Sequence, residues 1–201
     1  TGRTLSVIKD VLKQVPFIDY VIYSNGAVVY DRCKGENIYT NYMPSDIVEN
    51  VVDILESYPV YYELYANGAS NTQESKAAFF KNKDLPPEFL DFYMQSLINH
   101  DNLSEFAKNN DIEKINLFYF DGEYYEEIKD KLFAIENIDR TSPVSGDIEM
   151  TYKGVNKGVA LDNMCKELCF TPDEVMSFGD ADNDIEMLQF AGYGIAMGNA
   201  S

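Results

Sequence analysis

Hydrophobic positions near the start of the chain follow a helical period and then give way to short apolar runs. Five apolar residues that recur at the spacing of one helix face predict an amphipathic helix over residues 3–15, namely Leu5, Ile8, Val11, Leu12 and Val15. The runs IDYVIYSNG (18–26) and AVVYD (27–31) predict two strands. Because Asn25-Gly26 is a strong signal for a tight turn, the second strand is predicted to fold back along the first.

The rest of the chain alternates predicted helices with predicted strands and shows no internal repeat. Helical spacing and capping residues predict helices over 45–58, 88–100, 103–109, 124–136, 157–169 and 183–191. Short apolar runs predict strands over 60–68, 114–121, 147–152, 174–179 and 193–197. Residues 69–85 are polar, and their pattern assigns them to no element.

Two styles of organisation divide the chain. Residues 153–201 alternate helices with short buried strands, which is typical of a parallel βα sheet, and the first 32 residues look similar. The part between them is richer in Tyr and Phe and reads as a separate α+β unit. The predicted fold is therefore α/β, with a core formed by residues 1–32 and 141–201 and an α+β domain at 33–140 inserted into it.

The composition is that of an ordinary globular protein, with 45% hydrophobic and 25% charged residues in a chain of 201. No apolar run approaches the roughly 18 residues that a membrane helix needs. No charged-then-apolar signal segment opens the chain, so the predicted location is cytoplasmic. Cys33, Cys165 and Cys169 lack zinc-like spacing and are predicted to be reduced thiols.

Acidic residues outnumber basic ones by 34 to 16, which gives the chain a formal net charge of −18. A field of this sign repels nucleic acid and anionic membranes, so neither is an expected partner. A phosphorylated ligand would be repelled at long range for the same reason. Binding such a ligand therefore requires local positive charge, from a metal ion or from a few placed Lys or Arg side chains.

An acidic segment, GDADNDIEML (179–188), directly follows the apolar run EVMSF (174–178). Ligands of open α/β sheets bind at the carboxyl ends of the strands, which is where Asp180 is predicted to lie. Mg²⁺ prefers oxygen ligands and uses one or two carboxylates, so Asp180 is a candidate metal ligand. The alternative is a solvated acidic helix N-terminus, and Asp182 and Glu186 are assigned to it.

The segment NKGVALDNMCKELCFTPDEVMSFGDADNDIEMLQFAGYGIAMGNA (156–200) resembles the C-terminal core of the haloacid dehalogenase (HAD) superfamily, specifically its Cof-type sugar-phosphate phosphatases. That family places a Lys-Gly pair before a helix and a strand, followed by GDxxNDxxML and an AGxGxAMGNA-like stretch. TGR (1–3) and YSNGAVVYD (23–31) resemble its second motif and the following turn. The resemblance implies a Rossmann-like HAD core, incomplete here, with an inserted α+β cap domain.

The resemblance also implies roles for individual residues. Family members form an aspartyl-phosphate on a nucleophilic Asp held with Mg²⁺, and water then hydrolyses it. The residues that match the family's positions are Lys157 and Asp184 as catalytic residues, Thr1, Gly2 and Asn183 as substrate-binding residues, and Asp180 as the Mg²⁺ ligand. Phosphoryl transfer needs positioning and charge neutralisation, which Mg²⁺ and Lys157 together would supply.

Some residues keep a second interpretation from the pattern alone. Lys157 without its motif is a surface lysine near a helix start, and Arg3 either binds substrate or pairs with a carboxylate. A structural interpretation is preferred over ligand binding for the turn, for a tyrosine cluster and for the single histidine, which are Ser24, Asn25, Gly26, Tyr61, Tyr62, Tyr65 and His100.

One family motif is missing from the 201 residues. DxDGT, which carries the nucleophile and the general acid, should precede TGR by a few tens of residues, and the family's last segment should follow Ser201. The chain therefore looks truncated at both ends, and we expect this polypeptide to hydrolyse phosphate esters poorly and to fold weakly.

The predicted function of the full-length protein is Mg²⁺-dependent hydrolysis of small phosphorylated metabolites such as sugar phosphates. Two alternatives stay open: a non-catalytic module that binds Mg²⁺ or a phosphorylated ligand, and a related phosphomutase. An upstream DxD favours the phosphatase and the mutase, and transfer of phosphate to a second substrate would separate those two. The oligomeric state is not readable from the sequence.

Overall fold

The chain divides into two compact units, which are described separately. A computed structural model describes residues 1–73, 75, 93–118, 122–141 and 146–200. The terminal unit consists of Thr1–Asn41 with Gly154–Ser201, and the middle unit is Tyr42–Lys153. Both predicted domain boundaries, after residues 32 and 140, fall earlier in the chain than the boundaries of these units. In the described part of the chain, no helix is long and apolar enough to cross a membrane.

The described residues form eleven strands and six α-helices. In chain order the elements are α1 (Leu5–Gln14), β1 (Tyr20–Tyr23), β2 (Val28–Asp31), β3 (Glu36–Thr40), α2 (Ser45–Glu56), β4 (Tyr62–Ala66), β5 (Ala69–Gln73), β6 (Leu97–His100), α3 (Leu103–Lys108), β7 (Lys114–Leu117), α4 (Tyr125–Phe133), β8 (Ile138–Thr141), β9 (Ile148–Tyr152), α5 (Lys157–Glu167), β10 (Met176–Gly179), α6 (Ile185–Phe190) and β11 (Tyr193–Ala196).

Two small sheets form the terminal unit. Strands β1, β2 and β3 make an antiparallel sheet in that order, which confirms the predicted hairpin around Asn25-Gly26. Strands β10 and β11 pair in parallel and are joined by α6, which confirms the βα pattern predicted for the end of the chain. Helix α5 packs against α6, against β3 and against the turn between β1 and β2, so it connects the two sheets.

The parallel sheet of the terminal unit has an apolar face that is exposed. Met176 lies directly across from Tyr193, and Phe178 from Ile195, so the four side chains project from one face of the pair. All four are exposed, Met176 to 57% and Tyr193 to 64%. Parallel sheets are normally covered on both faces.

The middle unit is a six-stranded sheet with helices α2, α3 and α4 against one face. The strand order is β6-β5-β4-β7-β9-β8, and only the β5–β6 pair is parallel. The core side chains alternate along the strands and include Tyr62 and Leu64 from β4 and Ile115 and Leu117 from β7. They pack with apolar residues of the helices. Two of these helices, α2 and α4, were predicted over 45–58 and 124–136, and each buries one apolar face against the sheet.

The opposite side of strand β4 carries a buried carboxyl group. Glu63 is fully buried and accepts hydrogen bonds from the hydroxyl groups of Tyr61 and Tyr93, the latter at 2.9 Å from each carboxylate oxygen. Burial raises the pKa of Glu63 to about 7, because the hydrogen bonds from the two tyrosines and the charge of Lys114 only partly offset the loss of hydration. Tyr61, Tyr62 and Tyr65 are all buried in the middle unit, which agrees with the structural interpretation preferred for the tyrosine cluster.

Four strand segments differ from the sequence prediction. Leu97–His100 is not the end of a helix but strand β6, which bonds to β5, and His100 contacts Asn71 at 2.9 Å. Three further strands were not predicted because their sequences, ENIYT, ASNTQ and IDRT, are polar and show little apolar alternation. Pairing with neighbouring strands, rather than local propensity, sets these segments. Residues 74, 76–92 and 119–121, which include parts of two predicted elements, lie outside the described residues.

Candidate functional site

A buried ion pair lies at the centre of the polar cluster in the terminal unit. Lys157 Nζ donates to Asp184 Oδ1 at 2.6 Å, and each side chain is only 10% exposed. Burying two opposite charges is favourable only when their geometry is good and their other polar atoms are bonded. Both conditions are met here, since each partner makes further hydrogen bonds.

Local sequence explains why the lysine lies at this place. Asn156 caps α5, because its side-chain oxygen accepts from the backbone N–H of Val159 at 2.8 Å. The helix therefore begins at Lys157. On the other side, β10 ends at Gly179, and the loop after it turns back through the 3₁₀ segment Asp182–Asp184. The lysine at a helix start and the aspartate after a strand end are thus held by separate elements.

Asp184 organises the loop that follows β10. Its Oδ2 accepts from the backbone N–H groups of Asp180 and Ala181, at 3.1 and 3.3 Å, while its Oδ1 binds Lys157. Burial acts to raise the pKa of Asp184, but the hydrogen bonds from Lys157 and from these amides outweigh it and hold the pKa below its ordinary value. Asp184 is therefore ionised at neutral pH and fixes both the lysine and the loop.

Asn183 extends the cluster. Its Oδ1 accepts from Lys157 Nζ at 2.9 Å, and its Nδ2 donates to Asn25 Oδ1 at 3.3 Å. The lysine is therefore held by two oxygens, one charged and one neutral. The contact with Asn25 joins residues that are 158 positions apart, from the first hairpin and from the last βα unit.

Asp180 directly follows β10, is exposed, and accepts from Asn199 Nδ2 at 3.2 Å through its Oδ2. This carboxylate differs from that of Asp184, which is buried and bonded through both oxygens. Within the described residues, no three His, Cys, Asp or Glu side chains form a metal-binding group. One exposed carboxylate oriented by an amide still fits Mg²⁺, which keeps water or phosphate oxygens in most of its shell.

The segment at Thr1 and Gly2 lies beside the same hairpin turn. The backbone N–H of Asn25 donates to the carbonyl oxygen of Thr1 at 3.1 Å. A Cβ on Gly2 would lie 2.6 Å from Asn25 Oδ1, closer than any side chain could pack, and 3.8 Å from Asn183 Nδ2. Glycine is therefore required at this position by the approach of Asn25.

The structure brings the predicted residues of the terminal unit into one neighbourhood. Lys157, Asn183 and Asp184 are directly bonded, Asp180 shares the loop held by Asp184, and Thr1 and Gly2 reach it through Asn25. Sequence reasoning treated Asn25 as a turn residue and did not single out Asn199. For Asn25 the sequence also indicates a place near the carboxyl edge of the sheet, which keeps the turn a candidate contact, whereas Asn199 has only its place within a family-like segment.

Comparison with known proteins identifies the family of the chain. The family model for haloacid dehalogenase-like hydrolases matches residues 1–201, which is the whole chain. The chain belongs to this family. The resemblance drawn from GDADND and the neighbouring motifs is thereby confirmed, and the chain is a member of a hydrolase family.

Several relatives of the chain are named phosphatases. It is 27% identical to a 5-amino-6-(5-phospho-D-ribitylamino)uracil phosphatase of Bacillus subtilis, with 100% of this chain and 69% of that protein aligned. It is 29% identical to the HMP-PP phosphatase of Serratia proteamaculans, with coverage of 100% and 70%. It is 27% identical to a putative phosphatase of Mycoplasma pneumoniae, with coverage of 100% and 73%.

Solved structures show the same fold. A haloacid dehalogenase-like hydrolase from B. subtilis superposes with a TM-score of 0.80 at 25% identity, over 100% of this chain and 76% of that one. A HAD subclass IIB sugar phosphatase superposes with a TM-score of 0.73 at 24% identity, over 100% and 73%. The predicted α/β HAD-type fold is therefore confirmed.

Proposed function

We propose that the protein is a Mg²⁺-dependent phosphatase of small phosphorylated metabolites such as sugar phosphates. The observation that carries this proposal is the buried Lys157 ammonium, held by Asn183 and Asp184 beside the exposed carboxylate of Asp180. In a chain with a net charge of −18, this ammonium is a fixed cation that a phosphate oxygen could contact, and a bound Mg²⁺ would supply the further positive charge that the neighbouring carboxylates require. The phosphatase names of the relatives agree with it.

Asp180 is the residue of this chain that would hold Mg²⁺, and Asn199 would orient its carboxylate. When bound, the ion would neutralise phosphoryl charge and help to align the reacting oxygens. The local concentration of negative charge also favours a bound cation here, because Asp180, Asp182 and Asp184 lie within five residues of one another. A divalent cation reduces the repulsion among these carboxylates.

The remaining residues bind and position the phosphoryl group. Lys157 Nζ neutralises charge on the phosphoryl oxygens, and the hydrogen bond to Asp184 holds the lysine in place. Asn183, the Thr1 hydroxyl and the Gly2 amide supply neutral hydrogen-bond donors to the same group. Because these groups are fixed before substrate binds, they stabilise the transition state without reorganising.

The nucleophile is proposed to lie outside the 201 residues. No Asp-x-Asp-Gly-Thr segment occurs within them, and the relatives extend beyond the matched region. In the proposed reaction a carboxylate oxygen bonds to phosphorus as the ester oxygen departs with a proton from a second aspartate. Water then attacks the aspartyl-phosphate and releases inorganic phosphate. These 201 residues alone would accordingly show little turnover.

The test is phosphate release by the full-length protein from a panel of sugar phosphates and other small phosphate monoesters, with Mg²⁺ and with EDTA. We expect Mg²⁺-dependent release, and an acid-quenched phosphopeptide map should place the phosphoryl group outside the 201 residues. Phosphate retained on a second substrate would instead indicate a mutase. Ligand binding without turnover would indicate a binding module, and turnover unaffected by EDTA would contradict the Mg²⁺ dependence.

A further inference from the structure

Asn25 has an unusual backbone and an unusual position for a turn residue. It lies between β1 and β2 with φ 58° and ψ 18°, in the left-handed region that Asn tolerates better than most residues. Turn residues are usually exposed, yet Asn25 is only 7% exposed. Its side chain is therefore enclosed by the terminal unit rather than projecting into solvent.

The turn is in close contact with the start of α5. Gly26 has a φ of +103°, and a Cβ there would lie 2.3 Å from the carbonyl oxygen of Asn156. The backbone of the turn therefore lies directly against the backbone at the start of α5. Lys157 follows Asn156 directly, so the turn and the lysine are held in a fixed relation.

Asn25 itself bonds to the two other segments of the site. Its backbone N–H donates to the Thr1 carbonyl at 3.1 Å, and its Oδ1 accepts from Asn183 Nδ2 at 3.3 Å. The Asn183 carboxamide has one acceptor end and one donor end. Because Asn25 takes the donor end, the acceptor end is directed at Lys157 Nζ.

We propose that Asn25 is a positioning residue of the phosphatase site, which fixes the Asn183 carboxamide and through it the Lys157 ammonium relative to the Thr1–Gly2 segment. The inference rests on the proposed function. Without the Asn25 acceptor, the Asn183 amide rotates, and the ammonium loses its neutral partner and its fixed direction. A small displacement of a charged group at a reacting centre is costly in rate even when binding is little changed.

Two substitutions in the full-length protein separate this role from that of the turn. Asn25→Gly keeps the left-handed backbone accessible and removes the acceptor, whereas Asn25→Asp keeps both the acceptor and the tolerance of positive φ. We expect Asn25→Gly to lower kcat roughly 10- to 100-fold with little change in KM. Asn25→Asp keeps the contact with Asn183 but adds a negative charge, so its effect is measured on the Asn183 side chain in the absence of substrate rather than on kcat.

The chain offers a matched control in Asn67→Gly. Asn67 also has a positive φ, of 54°, and its Nδ2 also bonds to another asparagine, Asn110, at 3.1 Å, but it belongs to the middle unit. We expect this variant to keep the kcat of the wild type. The side-chain NH₂ resonances of Asn183, recorded without substrate, should shift in Asn25→Gly and be largely restored in Asn25→Asp.

The inference is overturned if Asn25→Gly keeps kcat within twofold of the wild type, or if the Asn183 resonances do not respond to it. It is also overturned if the Asn183 resonances of Asn25→Asp lie as far from those of the wild type as the resonances of Asn25→Gly do, because then the acceptor is not what matters. A Lys157→Met variant distinguishes failure of the positioning role of Asn25 from failure of the proposed phosphatase function. If Lys157→Met is inactive while Asn25→Gly is normal, only the positioning role fails, and if Lys157→Met is fully active, the proposed function fails.

Discussion

Replacing Lys157 by methionine is expected to lower kcat of the full-length protein by about 10²–10³-fold. Methionine keeps most of the side-chain volume and removes the charge that would stabilise the phosphoryl oxygens. The effect should be large because the ammonium is 2.6 Å from Asp184, nearly buried, and held in one orientation. Phosphate release at saturating substrate measures this loss.

The same helix provides the control for this substitution. Lys166 also pairs with an aspartate, Asp162, at 2.7 Å, but its side chain is 68% exposed. Exposed pairs contribute little to stability, so Lys166→Met should leave both kcat and the unfolding transition close to those of the wild type. Lys157→Met also leaves the Asp184 charge without its partner, so we expect a lower unfolding midpoint. Normal kcat in a folded Lys157→Met protein would contradict the role given to the ammonium.

Replacing Glu63 by glutamine is expected to stabilise the protein above neutral pH by up to about 3 kcal/mol. Folding raises the pKa of Glu63 from its ordinary value of 4.5 to about 7, chiefly because the group is buried. Below pH 4.5 the carboxyl is protonated in both states and folding carries no penalty. Between pH 4.5 and about 7 the unfolded chain releases the proton first, so the free energy of unfolding falls until the folded form also ionises.

Glutamine cannot ionise, so Glu63→Gln should remove this part of the pH dependence and match the wild type near pH 4. Denaturant unfolding from pH 4 to 8 measures how the free energy of unfolding depends on pH, and amide exchange in β4 and β7 reports the stability of the strands around Glu63.

The control is Glu127→Gln, since Glu127 also accepts a hydrogen bond from a tyrosine, Tyr58, at 2.7 Å, but is exposed. Hydrogen bonds from Tyr58 and Lys131 lower the pKa of Glu127, so its replacement should give no gain at high pH. Equal pH profiles for the wild type and Glu63→Gln would refute the buried-carboxyl account.

Local sequence was sufficient where one segment carries its own signal. The helical pattern over 157–169, the apolar run of β10 and the acidic loop after it predicted a helix start, a strand end and a cluster of charges, and the structure has all three. The Asn25-Gly26 turn likewise was predictable from two residues, because few residues adopt positive φ.

Long-range contacts were not predictable from the same patterns. Strand β5 is polar, and its Asn71 side chain bonds to the carbonyls of Leu64 and Ala69, so its burial depends on partners that no local period reveals. The bond between Asn25 and Asn183 joins distant parts of the chain through two ordinary amides. Charge and motif therefore indicated a candidate site, while the contacts between its residues required the tertiary structure.

The most direct test of the account is a Mg²⁺ titration of phosphate release by the full-length protein and by its Asp180→Asn and Asp182→Asn variants. Both aspartates are exposed and lie in the same loop, but only Asp180 is proposed to hold the ion. We expect the wild type and Asp182→Asn to reach half-maximal rate at similar Mg²⁺ concentrations, whereas Asp180→Asn should require at least roughly tenfold more Mg²⁺ or show no activation. Identical Mg²⁺ dependence in all three proteins, or full activity without divalent cations, would contradict it.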